Sequence, residues 1–202
     1  MGAIITIEGT IGVGKTTFGQ QLADLLGLDF IGEPVGENPY LERYYQEPAR
    51  WAFTMQCHLM TQRFDAIDRA LCSERGAVID RGLWGDKVFA WVNTFAGNMT
   101  SEEYELYRRL FDLQQKQRDI DLAADDQRTI YLTAPLKTTL SRIVTRGRDA
   151  EAGAPIEYLY RLRCRYEEVA AARGWDFVDW SEFGSVADAW ATITADLSTS
   201  HS

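Results

Sequence analysis

The sequence predicts an α/β fold in which five parallel strands form a sheet flanked by helices. Three observations predict this fold. Short β-branched runs indicate strands, and the segments between them carry apolar residues at helical spacing. The chain also contains no repeat and no linker that would divide it into domains. Strands that alternate with helices indicate a parallel sheet covered on both faces, with ligands bound at the carboxyl ends of the strands. We expect residues 1–202 to form one domain, because a chain of 202 residues with 46% hydrophobic and 25% charged residues fits a single core.

The expected strands are short runs rich in β-branched and other apolar residues. In chain order they cover residues 3–7, 29–32, 77–80, 128–133 and 177–178. Apolar residues at helical spacing predict helices over 18–26, 49–74, 84–96, 101–121, 136–145, 156–173 and 186–197. Pro48 suits the first turn of the second of these helices, and Thr100 with Glu103 is typical of a capping box at the start of the fourth.

Composition and charge exclude several function classes. A formal net charge of −9 argues against a nucleic-acid polymer or a membrane surface as partner, since both require a basic face. Cys57, Cys72 and Cys164 are odd in number and lack CxxC spacing, so neither disulfides nor a zinc site is indicated. His58 and His201 are too few for a histidine-rich metal site. Without a signal-like segment or an apolar run of membrane length, we expect a cytoplasmic protein.

A phosphate-binding loop is the strongest motif of the chain. Residues 9–16, Gly-Thr-Ile-Gly-Val-Gly-Lys-Thr, match GxxxxGK[ST] and lie between an expected strand and an expected helix. Backbone N–H groups around Gly9, Gly12 and Gly14 are expected to surround phosphate oxygens. Lys15 would reach the β- and γ-phosphates of a nucleotide, and Thr16 would offer a hydroxyl to Mg²⁺. The alternative, a chance glycine-rich turn, is disfavoured by the flanking strand and helix.

The loop alone does not separate a GTPase, a motor, a kinase and an inactive binding module. Neither the DxxG turn nor the NKxD motif of a GTPase is found. Asp80-Arg81 ends an expected strand, where a kinase of small molecules keeps an acid directed at Mg²⁺ and a cation directed at phosphate. Arg142, Arg146 and Arg148 have a spacing suited to a lid over a transferring phosphoryl group. A solvated basic helix end is the alternative for these three arginines.

With these motifs the chain resembles the deoxyribonucleoside kinase family, nearly from end to end. The similar segments are the loop 7–17, Glu33-Pro34-Val35, the helix segment 48–56 ending in Gln56, Asp80-Arg81 with Asp86, the arginine lid at about 142–153, and Glu182-Phe183. Residues 33–40 resemble the compact bacterial deoxyadenosine and deoxyguanosine kinases more than the animal enzymes. The resemblance implies a P-loop kinase fold and transfer of the γ-phosphate of ATP to the 5′-hydroxyl of a deoxynucleoside.

The resemblance also implies roles at the reacting centre. Glu33 resembles the general base that accepts the proton of the 5′-hydroxyl, and Arg81 the arginine that holds this base and the reacting oxygen. Lys15 would hold the phosphates of ATP, while Asp80 with Thr16 would arrange Mg²⁺ as the cofactor. Asp80 departs from many animal members, which have Glu there, so its role is expected to persist with a shorter reach. Thr17 belongs to the nucleotide loop, and Glu182 and Phe183 to an adenine-contacting loop.

Substrate recognition is assigned by the same resemblance. Gln56 lies two helical turns before Arg63 and can face the same pocket. Arg63 with Asp86 resembles the charged pair of the deoxycytidine and purine kinases, so thymidine is expected to be a poor substrate. A buried ion pair that only orders the fold is the alternative. Purine deoxynucleosides, deoxyadenosine or deoxyguanosine, are favoured, and deoxycytidine remains possible.

The remaining expected contacts concern the sugar and the faces of the base. Tyr45 and Glu151 resemble residues that hold the 3′-hydroxyl, and Tyr45 would also exclude a ribonucleoside. Trp51 and Phe89 resemble the apolar walls on which the base stacks, although aromatic residues at helical spacing are often simply core.

Two other functions stay open on the sequence. A nucleoside-monophosphate kinase of the thymidylate kinase type shares the loop, the Asp-Arg strand end and the arginine lid, but needs no carboxylate base at its acceptor oxygen. A catalytically silent nucleotide-binding subunit would also keep the loop. The family resemblance further implies a homodimer.

Overall fold

The computed structural model describes residues 2–33, 38–118, 127–147 and 155–199. Five strands form one parallel sheet in the order β2-β3-β1-β4-β5, which confirms the expected architecture. The strands are β1 (Ile4–Glu8), β2 (Asp29–Ile31), β3 (Ala77–Asp80), β4 (Gln127–Thr133) and β5 (Asp176–Asp179).

Eight helices connect and cover the strands in the described ranges. They are α1 (Lys15–Leu26), α2 (Leu41–Gln46), α3 (Pro48–Leu71), α4 (Leu83–Phe95), α5 (Ser101–Gln117), α6 (Leu136–Arg146), α7 (Ile156–Arg173) and α8 (Val186–Thr199). The short helix α2 was not expected from the sequence, and α3 ends three residues earlier than expected. Pro48 begins α3, and Thr100 and Glu103 form the expected capping box of α5.

The sheet separates two apolar layers because successive strand residues point to opposite faces. On β3, Ile79 packs in a cluster with Phe64 of α3 and Phe111 of α5. Its neighbour Val78 packs on the other face with Phe18 of α1. The sheet is therefore buried on both faces, as expected for parallel strands joined by helices.

The central strand β1 brings the two strongest motifs together. It pairs in parallel with β3, with Ile7 opposite Asp80, so the loop that follows β1 and the Asp80-Arg81 strand end emerge at the same edge. Arg81 has a φ of 70°, a left-handed conformation that is uncommon for a residue other than glycine. In the described residues no helix is both long and apolar enough to span a bilayer.

Candidate active site

A cavity of about 610 Å³ opens at the carboxyl edge of the sheet. Its walls come from the phosphate loop and the start of α1, from α2, α3 and α4, and from single residues of α6 and α7. The cavity therefore joins the phosphate loop to the helices on which the nucleoside contacts were expected, in the position that parallel α/β folds use for ligands.

The phosphate loop has the backbone geometry that its sequence requires. Gly12 and Gly14 have φ values of 79° and 107°, which only glycine adopts without strain, and a Cβ on Gly12 would lie 2.7 Å from the carbonyl oxygen of Thr139. Lys15 is buried, and its Nζ donates to the carbonyl oxygen of Thr10 at 3.1 Å. Burial, reinforced by the charge of Arg81, lowers the pKa of Lys15 to about 8. An anion in the cavity would favour the charged form of this amine.

The side chains of Thr16 and Asp80 form a hydrogen bond at the end of the phosphate loop. The Thr16 hydroxyl donates to Oδ2 of Asp80 at 2.5 Å, while Oδ1 of Asp80 is buried and has no hydrogen-bond partner in the described part of the chain. An unpartnered carboxylate oxygen beside a hydroxyl fits Mg²⁺, which prefers oxygen ligands. Within the described ranges no cluster of three His, Cys, Asp or Glu side chains could hold a metal. Mg²⁺ bound chiefly by substrate phosphates needs no such cluster.

Glu33 is held between two arginines. Nη2 of Arg63 donates to its Oε1 at 2.5 Å, and Nε of Arg81 lies 3.4 Å from its Oε2. Burial alone would raise the pKa of Glu33, but the charges of Arg63 and Arg81 outweigh it and hold the pKa well below its usual range. The carboxyl is therefore ionised at neutral pH, faces the cavity and can accept a proton there.

Arg81 is fixed on several sides. Its Nη1 donates to the hydroxyl of Tyr166 at 2.5 Å, and its guanidinium carbon lies 4.6 Å from the ring centre of Phe89. Burial acts to lower the pKa of Arg81, but Tyr166 and the carboxylates of Glu33 and Glu8 raise it above its ordinary value. A permanently charged guanidinium thus lies beside Glu33 and lines the cavity.

The residues expected to read the base lie together on α3 and α4. Gln56 Nε2 donates to the backbone oxygen of Asp86 at 3.2 Å, and Tyr107 donates to Oδ2 of Asp86 at 2.6 Å. Gln56 Oε1, Asp86 Oδ1 and Arg63 Nε are buried without a partner among the described residues. Burial raises the pKa of Asp86 to about 6. Arg63 and Asp86 line the cavity, whereas Gln56 lies beside Asp86 and is not among the lining residues. Unpartnered buried acceptors and a donor at these positions are compatible with a ligand that has complementary polar edges.

Arg63 and Asp86, expected as a charged pair, form no ion pair with each other among the described residues. Among the described ion pairs, Arg63 binds Glu33 instead, because Nη2 of this long side chain extends to the end of β2. Asp86 retains its hydrogen bond from Tyr107 and is influenced by the charge of Arg63 only at longer range.

Other expected site residues take different positions. Tyr45, Phe89 and Arg142 line the cavity, and Arg142 Nη1 donates to the backbone oxygen of Val13 at 2.5 Å. Trp51 does not line it. Its ring lies 6.1 Å from that of Tyr40, with the guanidinium groups of Arg43 and Arg50 over it, and packs against the apolar cluster of α3.

The expected adenine loop and lid are less fully described. Glu182 is exposed, and Phe183 packs against the apolar cluster under α1 and α8, so neither belongs to the cavity wall. Arg148 and Glu151 lie outside the described residues, as does the Arg146 side chain.

Several cavity and supporting residues were missed by sequence reasoning. Trp180, after β5, lines the cavity and packs edge-on against Phe18 at 5.1 Å. Tyr158 also lines it, and Tyr166, two turns further along α7, supports Arg81. The tyrosines belong to the apolar stripe of α7, so their spacing indicated a core helix and gave no sign of a site.

Comparisons with known proteins agree on one family. A family model described as deoxynucleoside kinase matches residues 5–195. The chain is 34% identical over 166 residues to the deoxyadenosine/deoxycytidine kinase of Bacillus subtilis, covering 82% of this chain and 75% of that protein. It is 33% identical over 192 residues to the deoxyguanosine kinase of Dictyostelium discoideum, covering 91% of this chain and 66% of that protein.

Solved structures agree with the sequence relatives. The deoxyadenosine kinase from M. mycoides with bound dATP superposes with a TM-score of 0.78 at 32% identity, covering 96% of this chain and 99% of that one. The same enzyme with dCMP and dCDP bound gives a TM-score of 0.78 at 31% identity, covering 97% and 99%. These likenesses confirm the P-loop kinase fold.

Proposed function

This chain belongs to the deoxynucleoside kinase family, and we propose that it transfers the γ-phosphate of ATP to the 5′-hydroxyl of a deoxynucleoside. One observation carries the proposal. The ionised carboxylate of Glu33 lies in the same cavity as the phosphate loop and is held by two arginines. A carboxylate in that position suits a neutral hydroxyl acceptor and would repel a phosphorylated one.

In the proposed step the 5′-oxygen forms a bond to the γ-phosphorus while the bond from that phosphorus to the β,γ-bridging oxygen breaks. The hydroxyl proton passes to Glu33, and ADP leaves with the electron pair of the broken bond. Glu33 has a lowered pKa, so it takes the proton only as the new bond forms and the hydroxyl becomes acidic.

Cationic side chains would stabilise the negative charge that develops on the moving phosphoryl group. Lys15, Arg81 and Arg142 line the cavity and would bind phosphate oxygens, as would Arg146 and Arg148 of the proposed lid. Thr16 and Asp80 would hold Mg²⁺, whose charge neutralises phosphate oxygens when it is bound. Lid closure over about 142–153 would exclude water and limit wasteful hydrolysis of ATP.

We further propose a preference for purine deoxynucleosides. Gln56 Oε1 and Asp86 Oδ1 are free acceptors that suit an exocyclic amino group, and Arg63 Nε is a free donor that suits a ring nitrogen. Adenine offers both features, and cytosine offers them on a smaller ring. Tyr45 and Glu151 would hold the 3′-hydroxyl, and Phe89 would stack on the base. Trp51, Glu182 and Phe183 stay predictions, as do a homodimer and a cytoplasmic location.

The decisive experiment measures ADP production from Mg-ATP with deoxyadenosine, deoxyguanosine, deoxycytidine, thymidine and thymidine monophosphate supplied separately. We expect turnover with a purine deoxynucleoside, less with deoxycytidine and little with thymidine. Turnover with the monophosphate alone would overturn the role of Glu33 and favour a nucleoside-monophosphate kinase. ATP binding without turnover on any acceptor would indicate a silent nucleotide-binding subunit.

A further inference from the structure

Glu8 is a buried carboxylate that the proposed chemistry does not use. It ends β1 immediately before the phosphate loop and has no exposed surface. Its Oε1 accepts hydrogen bonds from the backbone N–H groups of Gly82 at 3.0 Å and Gly85 at 2.8 Å, and its Oε2 accepts from the hydroxyl of Tyr166 at 3.1 Å. One carboxylate thus ties the strand before the loop to the first turn of α4 and to α7.

Tyr166 connects this carboxylate to Arg81. Nη1 of Arg81 donates to the Tyr166 oxygen at 2.5 Å, so the hydroxyl hydrogen remains free to be donated to Glu8. Nε of Arg81 is directed at Glu33. Among the described residues, Nη2 of Arg81 donates no hydrogen bond. Both N–H groups of Nη2 are therefore left for phosphate oxygens.

The side chains of Glu8, Tyr166 and Arg81 are closely packed around Gly85. A Cβ on Gly85 would lie 2.3 Å from Oε2 of Glu8, 2.7 Å from the Tyr166 hydroxyl and 2.9 Å from Cγ of Arg81. The absence of a side chain at Gly85 therefore makes the junction possible. Arg81 reaches it from a left-handed backbone, a conformation that persists only when surrounding contacts hold it.

We propose that Glu8 and Tyr166 are positioning residues of the phosphoryl transfer: the Glu8–Tyr166 relay fixes the orientation of the Arg81 guanidinium so that Nη2 faces the moving phosphoryl group. The inference rests on the proposed function, since it assigns a purpose to Arg81 in that reaction. Neither residue is among those that line the cavity. Both act through Arg81, whose contribution depends on its aim because transition-state stabilisation requires preset geometry.

The test is Tyr166→Phe, which removes only the hydroxyl. We expect kcat to fall by about tenfold or more with the deoxynucleoside that the wild type uses, while KM for that nucleoside changes by less than about threefold. Tyr131→Phe is the matched control. Tyr131 is equally buried and stacks on Tyr166 with ring centroids 5.7 Å apart, but the tyrosine hydroxyl that hydrogen-bonds to Glu8 and Arg81 is that of Tyr166.

A double-mutant cycle separates positioning from a purely structural role. If Tyr166 acts through Arg81, Tyr166→Phe should cost less than about threefold in kcat when Arg81→Lys is already present, because lysine cannot bridge Glu33 and Tyr166 with two nitrogens. Glu8→Gln should lower kcat as Tyr166→Phe does. The loss of kcat in the double variant should be smaller than the product of the two single losses. Single-turnover rates make the slow variants measurable, and thermal unfolding checks that each is folded.

The outcomes are distinct. If the wild type is active and Tyr166→Phe has the same kcat as Tyr131→Phe, the inference is overturned but the proposed function stands. The same holds if Tyr166→Phe lowers kcat by the same factor in the Arg81→Lys background as in wild type. A wild type that phosphorylates no deoxynucleoside would overturn the proposed function and this inference with it.

Discussion

Two guanidinium groups keep Glu33 ionised and thereby make it a weak base in the resting enzyme. Arg63 and Arg81 lower the pKa of its carboxyl against the opposing effect of burial. The same cations would face the developing charge of the acceptor oxygen, so the proton can be transferred late in the reaction without leaving an unpaired charge.

Glu33→Gln should therefore reduce kcat by about a hundredfold or more. The dissociation constant for Mg-ATP should change by less than about threefold, since the loop and Lys15 are unaltered. Steady-state kinetics and equilibrium titration with a fluorescent ATP analogue measure the two quantities. Glu42→Gln, an exposed carboxylate on α2, is the control and should retain wild-type kcat. A Glu33→Gln enzyme with nearly normal turnover would show that another group accepts the proton.

Asp86 predicts a pH dependence of folding. Burial raises its pKa to about 6, so between about pH 4 and about pH 6 the folded chain holds a proton that the unfolded chain releases. Stability is therefore lost as pH rises through this window, by about 3 kcal/mol in total.

Asp86→Asn does not titrate, and its amide oxygen can still accept from Tyr107. The free energy of unfolding of the variant minus that of wild type should therefore rise by about 3 kcal/mol as the pH increases from about 4 to about 7. Urea unfolding at each pH measures this difference. Asp65→Asn, at an exposed position of α3, supplies the control. A stability difference independent of pH would contradict the assignment.

At the scale of elements, local patterns predicted all five strands, but α3 and α5 end three and four residues earlier than expected. The missed helix α2 has six residues, too few for an apolar stripe to be read, and Tyr44 is its only buried residue. The capping box at Thr100 was predictable because its chemistry lies within four residues.

The site was predictable only where a motif or the family resemblance carried it. The loop contains its own signal, but Glu33 and Arg81 are 48 positions apart in the chain, and no spacing indicates their contact. Tyr166 lies 85 positions from Arg81 and 158 from Glu8, so its role follows from tertiary packing alone. The ion pair of Arg63 with Glu33 likewise depends on where the end of β2 lies.

For Gly85 in helix α4, we expect substitution by alanine to have the opposite effect on stability to the one that helix propensity predicts. Alanine there would favour an isolated helix by about 1 kcal/mol, yet its Cβ would overlap Glu8 and Tyr166. We expect Gly85→Ala to lower the thermal midpoint by several degrees and kcat by about tenfold or more. Differential scanning calorimetry and steady-state assays measure these effects.

Gly97→Ala is the comparison for Gly85→Ala. Gly97 has a φ of 75°, and no described atom lies within 4 Å of the position that an added methyl group would take. Alanine there should cost about 1 to 2 kcal/mol of stability, because of the left-handed backbone, and no activity. Equal effects of the two substitutions on kcat would contradict the crowding at Gly85.

For the whole molecule, the strand order places the proposed phosphate half and the proposed nucleoside half of the cavity on different elements. The phosphate half depends on the loop after β1, whereas the nucleoside half depends on α3 and α4, which reach it from the side of β3. The two substrates should therefore stabilise the fold through separable contacts.

Thermal shifts can test that separation. In wild type, Mg-ATP and the deoxynucleoside at about 100 times their Kd should each add about 2.7 kcal/mol to the free energy of unfolding. Lys15→Ala should abolish most of the ATP shift and keep the nucleoside shift, whereas Lys137→Ala, on α6 and away from the cavity wall, should keep both. Loss of both shifts in Lys15→Ala would show that the halves are not independent.

Arg63 has a consequence for anyone who would redesign the base preference of this enzyme. Its Nη2 donates to Glu33, while its Nε has no partner in the described structure and is proposed to contact the base. Replacing it to admit a new base would release the proton acceptor as well, so selectivity and speed would be lost together. Gln56 and Asp86 make no described hydrogen bond to Glu33 or Arg81, so we expect substitutions there to alter substrate choice while the proposed catalytic residues keep their contacts.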